Sequence, residues 1–300
     1  MSLIAFLLVS ISVFLHAGWN FLSKRKVPSL AFYTIASMSA MVMWLPGFIW
    51  SDFDWTLLPG RFWVLWCASV GCELLYFAGL AHAYRRGDIS LVYPLARALP
   101  VLLTAATTMI FGLGKTPGPV ALSGMAVLSA GCLLMPLMHW NTFSLAGYRG
   151  GALKFILMAA VGTTGYTILD SMAIRIVRDV YPGHGISCSI FYLFLLELGI
   201  GISMFCLVLA SNAERDEYRR LFLKSKTPVI SGVFSSVAYM LILLAMAYVT
   251  NVSYVQAFRQ MSLPLGVLAG IFFLHEKPGR PRLAGIVLVV LGLMIVSLGA

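Results

Sequence analysis

Charged residues are scarce in this 300-residue sequence: Asp, Glu, Lys and Arg together make up 11% of it, whereas hydrophobic residues make up 60%. The mean hydropathy of +0.91 lies far above that of an ordinary soluble domain. A soluble globule of this composition would lack the polar surface needed to cover itself, which excludes a soluble fold. Instead, apolar runs of about 20 residues recur along the whole chain, the length that a helix needs to cross a bilayer.

Acidic residues are the scarcer of the two charge classes, with 11 Asp and Glu against 21 Lys and Arg and a net charge of +10. The basic residues lie in short loops between apolar runs, so membrane topology explains the charge and no nucleic-acid partner is expected. Most of them follow the odd-numbered runs. The opposite side holds Arg61, Lys115, Arg175 and Arg178. The positive-inside rule therefore places both termini outside the cytoplasm.

Cysteine and catalytic motifs are also scarce. The five cysteines all lie within or beside apolar runs, which favours free thiols over a disulfide framework, and none of them shows metal-ligand spacing. We therefore expect no metal site and no cofactor. The sequence contains neither the GxxxxGK[ST] loop of ATP-binding proteins nor an HExxH motif, so an intramembrane enzyme acting on a lipid or small molecule is only the alternative hypothesis.

Ten membrane spans are predicted, at residues 2–22, 30–50, 62–84, 89–112, 118–138, 153–177, 187–211, 228–249, 252–274 and 282–299. The first is interpreted as a retained helix and not a signal peptide, because basic residues follow it and none precedes it. Residues 212–227 form the longest polar stretch. A solvated connector is the preferred interpretation of that stretch, and a short interfacial helix is the alternative.

An internal repeat relates the two halves. Residues recur at spacings of 164 and then 161 positions: Tyr84 and Pro100 as Tyr248 and Pro264, and Gly124 and Gly131 as Gly285 and Gly292. Each repeat holds five spans, an odd number, so the halves have opposite orientations, as in many secondary transporters. We predict an all-α polytopic membrane protein with ten transmembrane helices in a 5+5 inverted repeat, divided into residues 1–140 and 151–300. The glycine spacings suit close helix packing, including that of a homodimer.

Three motifs carry a family resemblance: residues 16–24 (HAGWNFLSK), residues 83–88 (AYRRGD) with the Tyr93–Pro100 helix, and residues 275–278 (HEKP). The sequence resembles the drug/metabolite transporter superfamily, specifically its ten-helix EamA-type members, over nearly its whole length. The resemblance implies a 5+5 inverted-repeat fold in which helices one, three, four, six, eight and nine surround a cavity and helices five and ten are peripheral. Members are usually drawn with cytoplasmic termini, opposite to the orientation predicted from the basic residues here.

Buried charges are the first candidates for a substrate or coupling site, because charged residues within a membrane are functional-site candidates by default. The alternative roles are a structural ion pair or a snorkelling side chain for an arginine, and neutralisation of an arginine for a glutamate. Arg97 lies about eight residues, or about 12 Å, inside the fourth span. Arg259 lies at a comparable depth from the outer end of the ninth, and either guanidinium suits a carboxylate or phosphate. Glu73, in the third span, is a candidate for proton coupling. Glu197 ranks lower because the seventh span is expected to be peripheral.

Weaker candidates complete the predicted site. His16 and Asn20 share a helix face, and His82 and Gln256 lie in predicted cavity helices. Asp170 is a candidate whose simpler interpretation is an ion pair with Arg175. Four aromatic residues are candidates for an aromatic wall, although ordinary packing is the preferred interpretation for any one of them: Trp19, Tyr76, Tyr93 and Tyr239. Helix breaks are expected at three prolines, namely Pro94, Pro100 and Pro264.

These observations favour a secondary active transporter of small metabolites over the enzyme alternative. We expect an exporter of amino acids or related zwitterionic or anionic compounds that works by alternating access. Proton coupling is a further hypothesis based on Glu73. The expected surroundings are the lipid bilayer of a bacterial-type inner membrane, and the expected partner is a small-molecule substrate.

Overall fold

A computed structural model describes residues 2–23, 29–86, 89–135, 137–140, 151–275 and 279–299. Within these residues the regular secondary structure is entirely helical. The α-helices are α1 (Leu3–Ser23), α2 (Leu30–Ser51), α3 (Gly60–Arg86), α4 (Ile89–Ile110), α5 (Pro119–Leu134), α6 (Leu153–Val180), α7 (Gly185–Leu209), α8 (Asn212–Lys224), α9 (Thr227–Ala245), α10 (Val252–Phe258), α11 (Ser262–Leu274) and α12 (Arg280–Leu298). Short 3₁₀ turns cover Trp55–Leu57, Met246–Tyr248 and Arg259–Met261.

Several of these helices are membrane spans. Six described segments are long and apolar enough to cross a bilayer: Leu30–Ser51, Gly60–Arg86, Leu153–Val180, Gly185–Leu209, Thr227–Tyr248 and Arg280–Leu298. Three further apolar segments are shorter, Leu3–Gly18, Leu95–Ile110 and Pro119–Leu134. The prediction of an all-helical membrane protein is therefore confirmed. Nine of the ten predicted spans correspond to single α-helices or to an α-helix extended by a 3₁₀ turn.

The ninth predicted span is not a single α-helix. Residues 252–274 divide into α10 and α11, joined by the 3₁₀ turn Arg259–Met261. Pro264 follows this turn, and its ring displaces the carbonyl four residues earlier while its nitrogen has no hydrogen to donate. The tightened turn thus lies where the proline disturbs the hydrogen bonding, and it carries Arg259. By contrast, α4 continues through Pro94 and Pro100, so neither proline breaks that helix as predicted.

The polar stretch predicted as a solvated connector is instead the helix α8, held by a buried carboxylate. The side chain of Glu214 accepts a hydrogen bond of 3.0 Å from the backbone N–H of Ala31, at the start of α2. It also forms an ion pair with Arg85 in the last turn of α3. A carboxylate is stabilised beside the unpaired N–H groups of a helix start. Glu214 therefore ties α8 to the same end of α2 and α3.

Glycine allows the closest helix contacts. Gly124 of α5 lies against the backbone of Gly292 and Val296 in α12, and Gly131 lies against Gly285 and Val289. A Cβ atom at Gly131 would lie 2.7 Å from the backbone nitrogen of Val289, closer than real Cβ atoms approach. The predicted packing role of these glycines is confirmed, and their surface is covered within the chain.

The remaining helices form pairs. α1 packs against α9 and α11, α6 packs against α3 and α4, and α2 packs against α7. α9 also contacts α2, and α3 also contacts α7. These contacts enclose the central region in which the predicted site residues meet.

Candidate functional site

A central cavity of about 110 Å³ lies between α1, α2, α3, α4, α6, α7 and α9 and the turn at Arg259. Most of its wall is apolar or aromatic, as expected for a space surrounded by membrane spans. Its charged and titratable lining comprises His16, Glu73, Arg97, Glu197 and Arg259, together with the tyrosines Tyr33, Tyr76, Tyr166 and Tyr239.

Two guanidinium groups reach the central cavity from opposite halves of the chain. Arg97 is 6% exposed, and its Nη2 donates a hydrogen bond of 3.1 Å to the hydroxyl of Ser262 at the start of α11. Arg259 is half-buried and donates to Gln256 Oε1 at 3.5 Å, while its guanidinium carbon lies 5.5 Å from the centre of the Tyr239 ring. An aromatic face attracts a cation at this range. Both arginines are therefore held in place by neutral groups.

Two carboxyl groups also face the central cavity. Glu73 of α3 is 7% exposed and lies within electrostatic range of Asp170, Glu197 and Arg259. Glu197 of α7 accepts a hydrogen bond of 2.6 Å from the hydroxyl of Ser37 in α2. A charge buried in a membrane protein is stable only with such partners or with a ligand. The cavity thus combines two guanidinium groups and two carboxyl groups in largely apolar surroundings.

Of the four aromatic residues predicted to form a wall, Tyr76 and Tyr239 line the central cavity, and the side chains of Trp19 and Tyr93 lie outside the described part of the structure. Tyr76 and Tyr166 meet edge to face with ring centres 5.8 Å apart, and Tyr166 meets Tyr239 in the same way at 6.0 Å. Phe77 lies beside Tyr76, with ring centres 4.9 Å apart, and contacts Tyr33 at a centroid distance of 4.6 Å. Aromatic rings in these arrangements are stabilised beyond the area that they bury. The tyrosines that line the cavity are therefore in contact with one another.

Asp170 lies directly behind this wall. The carboxylate is fully buried and accepts hydrogen bonds from the hydroxyls of Ser69, Tyr192 and Tyr239, the Tyr192 bond being 2.6 Å long. The predicted ion pair with Arg175 is wrong, because these three hydroxyls satisfy the carboxylate and Arg175 lines a different cavity. Asp170 reaches the central cavity only through Tyr239.

The structure separates the other predicted residues. His16 lines the central cavity. Gln256 is buried beside the cavity, and its Oε1 accepts a hydrogen bond from Arg259. His82 does not belong to the cavity: its Nδ1 lies 2.8 Å from the Ala78 carbonyl and its ring stacks on Phe155. The side chains of Trp19, Asn20, Tyr93 and Pro94 and the motif residues 276–278 lie outside the described part of the structure. Pro100 and Pro264 are both buried.

Sequence reasoning underestimated Glu197 and did not single out Tyr166. Glu197 was ranked low because its span was expected to be peripheral, yet α7 contributes Leu196, Glu197 and Ile200 to the central cavity. A usable signal existed, since Glu197 is the single charged residue in the apolar run 187–211. Tyr166 had no comparable signal, because tyrosine is common in apolar helices.

The side chains that line the central cavity suit a charged organic ligand better than a metal ion. Guanidinium groups bind carboxylate or phosphate oxygens in a planar fork, and carboxylates accept hydrogen bonds from ammonium groups. Among the described residues, no group of three or more His, Cys, Asp or Glu side chains is placed to hold a metal ion.

Comparisons with known proteins concern the family and the fold of the chain. The model of the EamA-like transporter family matches residues 182–298, which include α7 to α12. A solved structure described only as the crystal structure of a protein covers 98% of this chain and 96% of its own, with a TM-score of 0.70 and 14% identity. At that identity the likeness shows a shared fold alone. No curated protein sequence matches the chain. The resemblance read from the motifs is thereby confirmed, and the chain is a membrane protein that carries an EamA-like transporter family domain at residues 182–298.

Proposed function

We propose that this protein is a secondary active transporter that exports small zwitterionic or anionic metabolites, such as amino acids, from the cytoplasm. The observation that carries the proposal is the central cavity. It lies among membrane helices and brings together Arg97, Arg259, Glu73 and Glu197. Because each buried charge is costly in a membrane, four of them around one space indicate a ligand with complementary charges.

The lining also indicates the substrate class. A carboxylate between Arg97 and Arg259 would be bound by charge-assisted hydrogen bonds, and an amino group would be bound by Glu73 or Glu197. The tyrosine wall suits an apolar or aromatic side group. An engineered cavity of about 150 Å³ accommodates benzene, so the central cavity, at about 110 Å³, suits a small metabolite or an occluded state that widens on opening.

We propose that the two halves, residues 1–140 and 151–300, form a 5+5 inverted repeat. The helix contacts support this pairing. In such a repeat, α1 corresponds to α6, α3 to α9, and α4 to α10 with α11. Exchanging each helix for its counterpart turns the observed contacts of α1 with α9 and α11 into contacts of α6 with α3 and α4, which are also observed. The glycine contacts obey the same exchange, because Gly124 against Gly292 becomes Gly285 against Gly131.

Contacts between the halves at both ends support alternating access. At one end, Glu214 binds Ala31 and Arg85. At the other end, the side-chain amide of Asn251 donates to the carbonyls of Leu113 and Lys115, at 3.2 and 3.3 Å. If the halves rock about the central cavity, each set of bonds has to open in turn. Under this proposal, a structure with both sets of bonds formed lies between the inward-open and outward-open states.

Transport by purified protein in liposomes tests the proposal. A labelled amino acid from a panel that spans acidic, basic and aromatic side chains is expected to exchange with unlabelled amino acid across the membrane. Arg97→Gln is expected to reduce this counterflow about tenfold or more, because a charge-assisted contact to the substrate carboxylate is lost. Arg220→Gln is the matched control, since Arg220 is exposed on α8 and pairs with Glu217.

One outcome would contradict the role of Arg97, and another would contradict transport. Counterflow by Arg97→Gln equal to that of the unmodified protein would remove Arg97 from the site. Conversion of the labelled compound into a new product, with no accumulation in the liposomes, would favour the enzyme alternative.

We propose Glu73 as the proton-coupling residue, acting in an inner membrane of bacterial type. A carboxyl group in a low-dielectric cavity that opens to each side in turn is suited to bind a proton on one side and release it on the other. The charged or titratable groups around Glu73 are His16, Arg97, Asp170, Glu197, Arg259 and the cavity tyrosines. We expect Glu73→Gln to retain exchange at equal pH while losing the stimulation of export by an opposing proton gradient. A variant that still responds to the gradient would exclude Glu73.

A further inference from the structure

A second cavity lies away from the central one, at the end of α6. Its volume of about 330 Å³ is roughly three times that of the central cavity. We call it the α6-end cavity. It is bounded by the start of α3, the end of α4 with the turn Gly112–Gly114, the last three turns of α6, and the segment from Met246 to Val252. No residue lines both cavities, so the α6-end cavity is a separate space.

Two arginines from different helices meet at this cavity. Arg61 is the second residue of α3, and Arg175 lies on the face of α6 that also presents Ser171 and Asp179, at helical spacings of four residues. Both guanidinium-bearing side chains are exposed. Among the described residues neither arginine has a hydrogen bond or ion pair, and Asp179 is the one carboxylate in the lining. The α6-end cavity therefore carries a net positive charge that faces water.

The remaining polar wall is occupied by structural bonds. Asn251 is 3% exposed, and its Oδ1 accepts from the Ser253 N–H at 2.8 Å and from the Thr108 hydroxyl at 3.3 Å. Its Nδ2 donates to carbonyls of the turn that follows α4. The amide is thus satisfied on every side and forms a fixed floor. Arg61 and Arg175 are therefore the lining side chains with donors left to bind a ligand.

The distribution of basic residues makes this cavity unusual. Positive charge is depleted on the side of the membrane that is not cytoplasmic. The sequence places four basic residues there, and two of them line this cavity. Lys115 directly follows the lining turn, and its N–H donates to the Thr250 carbonyl. The fourth, Arg178, is used structurally, donating to the Leu243 carbonyl at 2.7 Å. Topology does not explain why the others gather at one space, whereas anion binding does.

We infer that the α6-end cavity is a second binding site for small molecules that carry a carboxylate or a phosphate, held between Arg61 and Arg175. Guanidinium groups bind both kinds of oxygen anion in the same forked geometry. Because both side chains are exposed to water, each contact is weakened by screening, and binding is expected at roughly millimolar concentration. The site is independent of transport through the central cavity, so it extends the proposed function without requiring it.

Isothermal titration calorimetry of the purified protein with sodium phosphate and with sodium glutamate tests the inference. Saturable binding that weakens about tenfold or more in Arg61→Gln/Arg175→Gln is expected for at least one of the two. The control Arg220→Gln is expected to bind as the unmodified protein does. The weakening caused by Arg61→Gln/Arg175→Gln is expected to persist in an Arg97→Gln background, in which the central cavity contributes less to binding. Raising the salt concentration is expected to weaken binding, because exposed charges are screened.

A lipid headgroup presents the same phosphate chemistry, so native mass spectrometry with added phosphatidylglycerol forms a second arm. Lipid retention that is lost in the double variant, without phosphate or glutamate binding, would identify the ligand as a lipid. The inference is overturned if no probe binds, if the double variant binds like the unmodified protein, or if Arg97→Gln alone removes binding. Because neither the calorimetry nor the mass spectrometry measures transport, both results can be interpreted even if the protein does not transport the proposed substrates.

Discussion

Asp170 connects three helices at the back of the central cavity. Its carboxylate accepts hydrogen bonds from Ser69 of α3, Tyr192 of α7 and Tyr239 of α9. Tyr239 in turn lies under the guanidinium of Arg259. The acid therefore positions one arginine of the proposed site through a tyrosine, without itself reaching a ligand.

Replacing Asp170 should destabilise the protein more than replacing any one of its partners. Asp170→Ala leaves three buried hydroxyls without an acceptor, at about 1–3 kcal/mol each when unsatisfied, whereas Ser69→Ala removes one donor and is expected to cost about 1 kcal/mol. Thermal unfolding followed by size-exclusion chromatography of the detergent-solubilised protein would rank the two. Equal midpoints for both variants would contradict the role of Asp170 as a shared acceptor.

For single residues, the sequence predicted which buried charged residues line the central cavity better than it predicted their bonding partners. Arg97 and Glu73 were identifiable because a charge in an apolar run is rare, and both line the central cavity. His82 shared this signal but bonds a carbonyl within its own helix. The ion pair assumed between Asp170 and Arg175 was wrong because neighbours in the sequence were preferred to hydroxyls on distant helices. Which groups meet is decided by helix packing, and composition does not encode it.

At the scale of helices, α5 of the first half and α12 of the second half form a close backbone contact. Gly131 and Gly285 meet backbone to backbone, as do Gly124 and Gly292. Close approach of this kind gives van der Waals contact and leaves no room for a side chain. The contact holds the ends of both halves together away from the central cavity.

Gly131→Ala is expected to separate α5 from α12 and to destabilise the protein by about 1–3 kcal/mol, the usual effect of overpacking. Gly71→Ala provides the matched control, because a Cβ atom at Gly71 in α3 meets nothing within 4 Å. Alanine there should be neutral or stabilising by about 0.5–1 kcal/mol, since glycine weakens helix interiors. The thermal midpoints of the two variants should therefore move in different directions. A similar loss in both would show that the close contact is unimportant.

Most helices were predictable because long apolar runs have one stable form in a bilayer. The exceptions have physical causes. The 3₁₀ turn at Arg259 interrupts the predicted span 252–274, and only the later Pro264 indicated it. α8 was taken for a connector because its residues are polar, yet the buried carboxylate of Glu214 anchors it. Both outcomes depend on contacts between elements that are far apart in the sequence.

For the whole molecule, the structure places both termini at one end. The backbone N–H of Ser2 lies 3.4 Å from the Tyr248 carbonyl, and the hydroxyl of Tyr254 donates to the Gly299 carbonyl at 3.2 Å. The segment that contacts both termini also borders the α6-end cavity. The opposite end carries α8 and Arg85, joined by Glu214.

The unequal basic charge of these two ends predicts how the protein lies in the membrane. The end with α8 holds Arg215, Arg219, Arg220, Lys224 and Lys226 within or beside one helix, whereas few basic residues surround the termini. Since positive residues are retained on the cytoplasmic side, both termini and the α6-end cavity should face away from the cytoplasm. Alkaline phosphatase fused after Gly299 should then be active in bacteria, and green fluorescent protein fused there should be dark. The same reporters inserted after Ser225 should give the reverse. A fluorescent C-terminal fusion would invert the orientation and place the α6-end cavity in the cytoplasm.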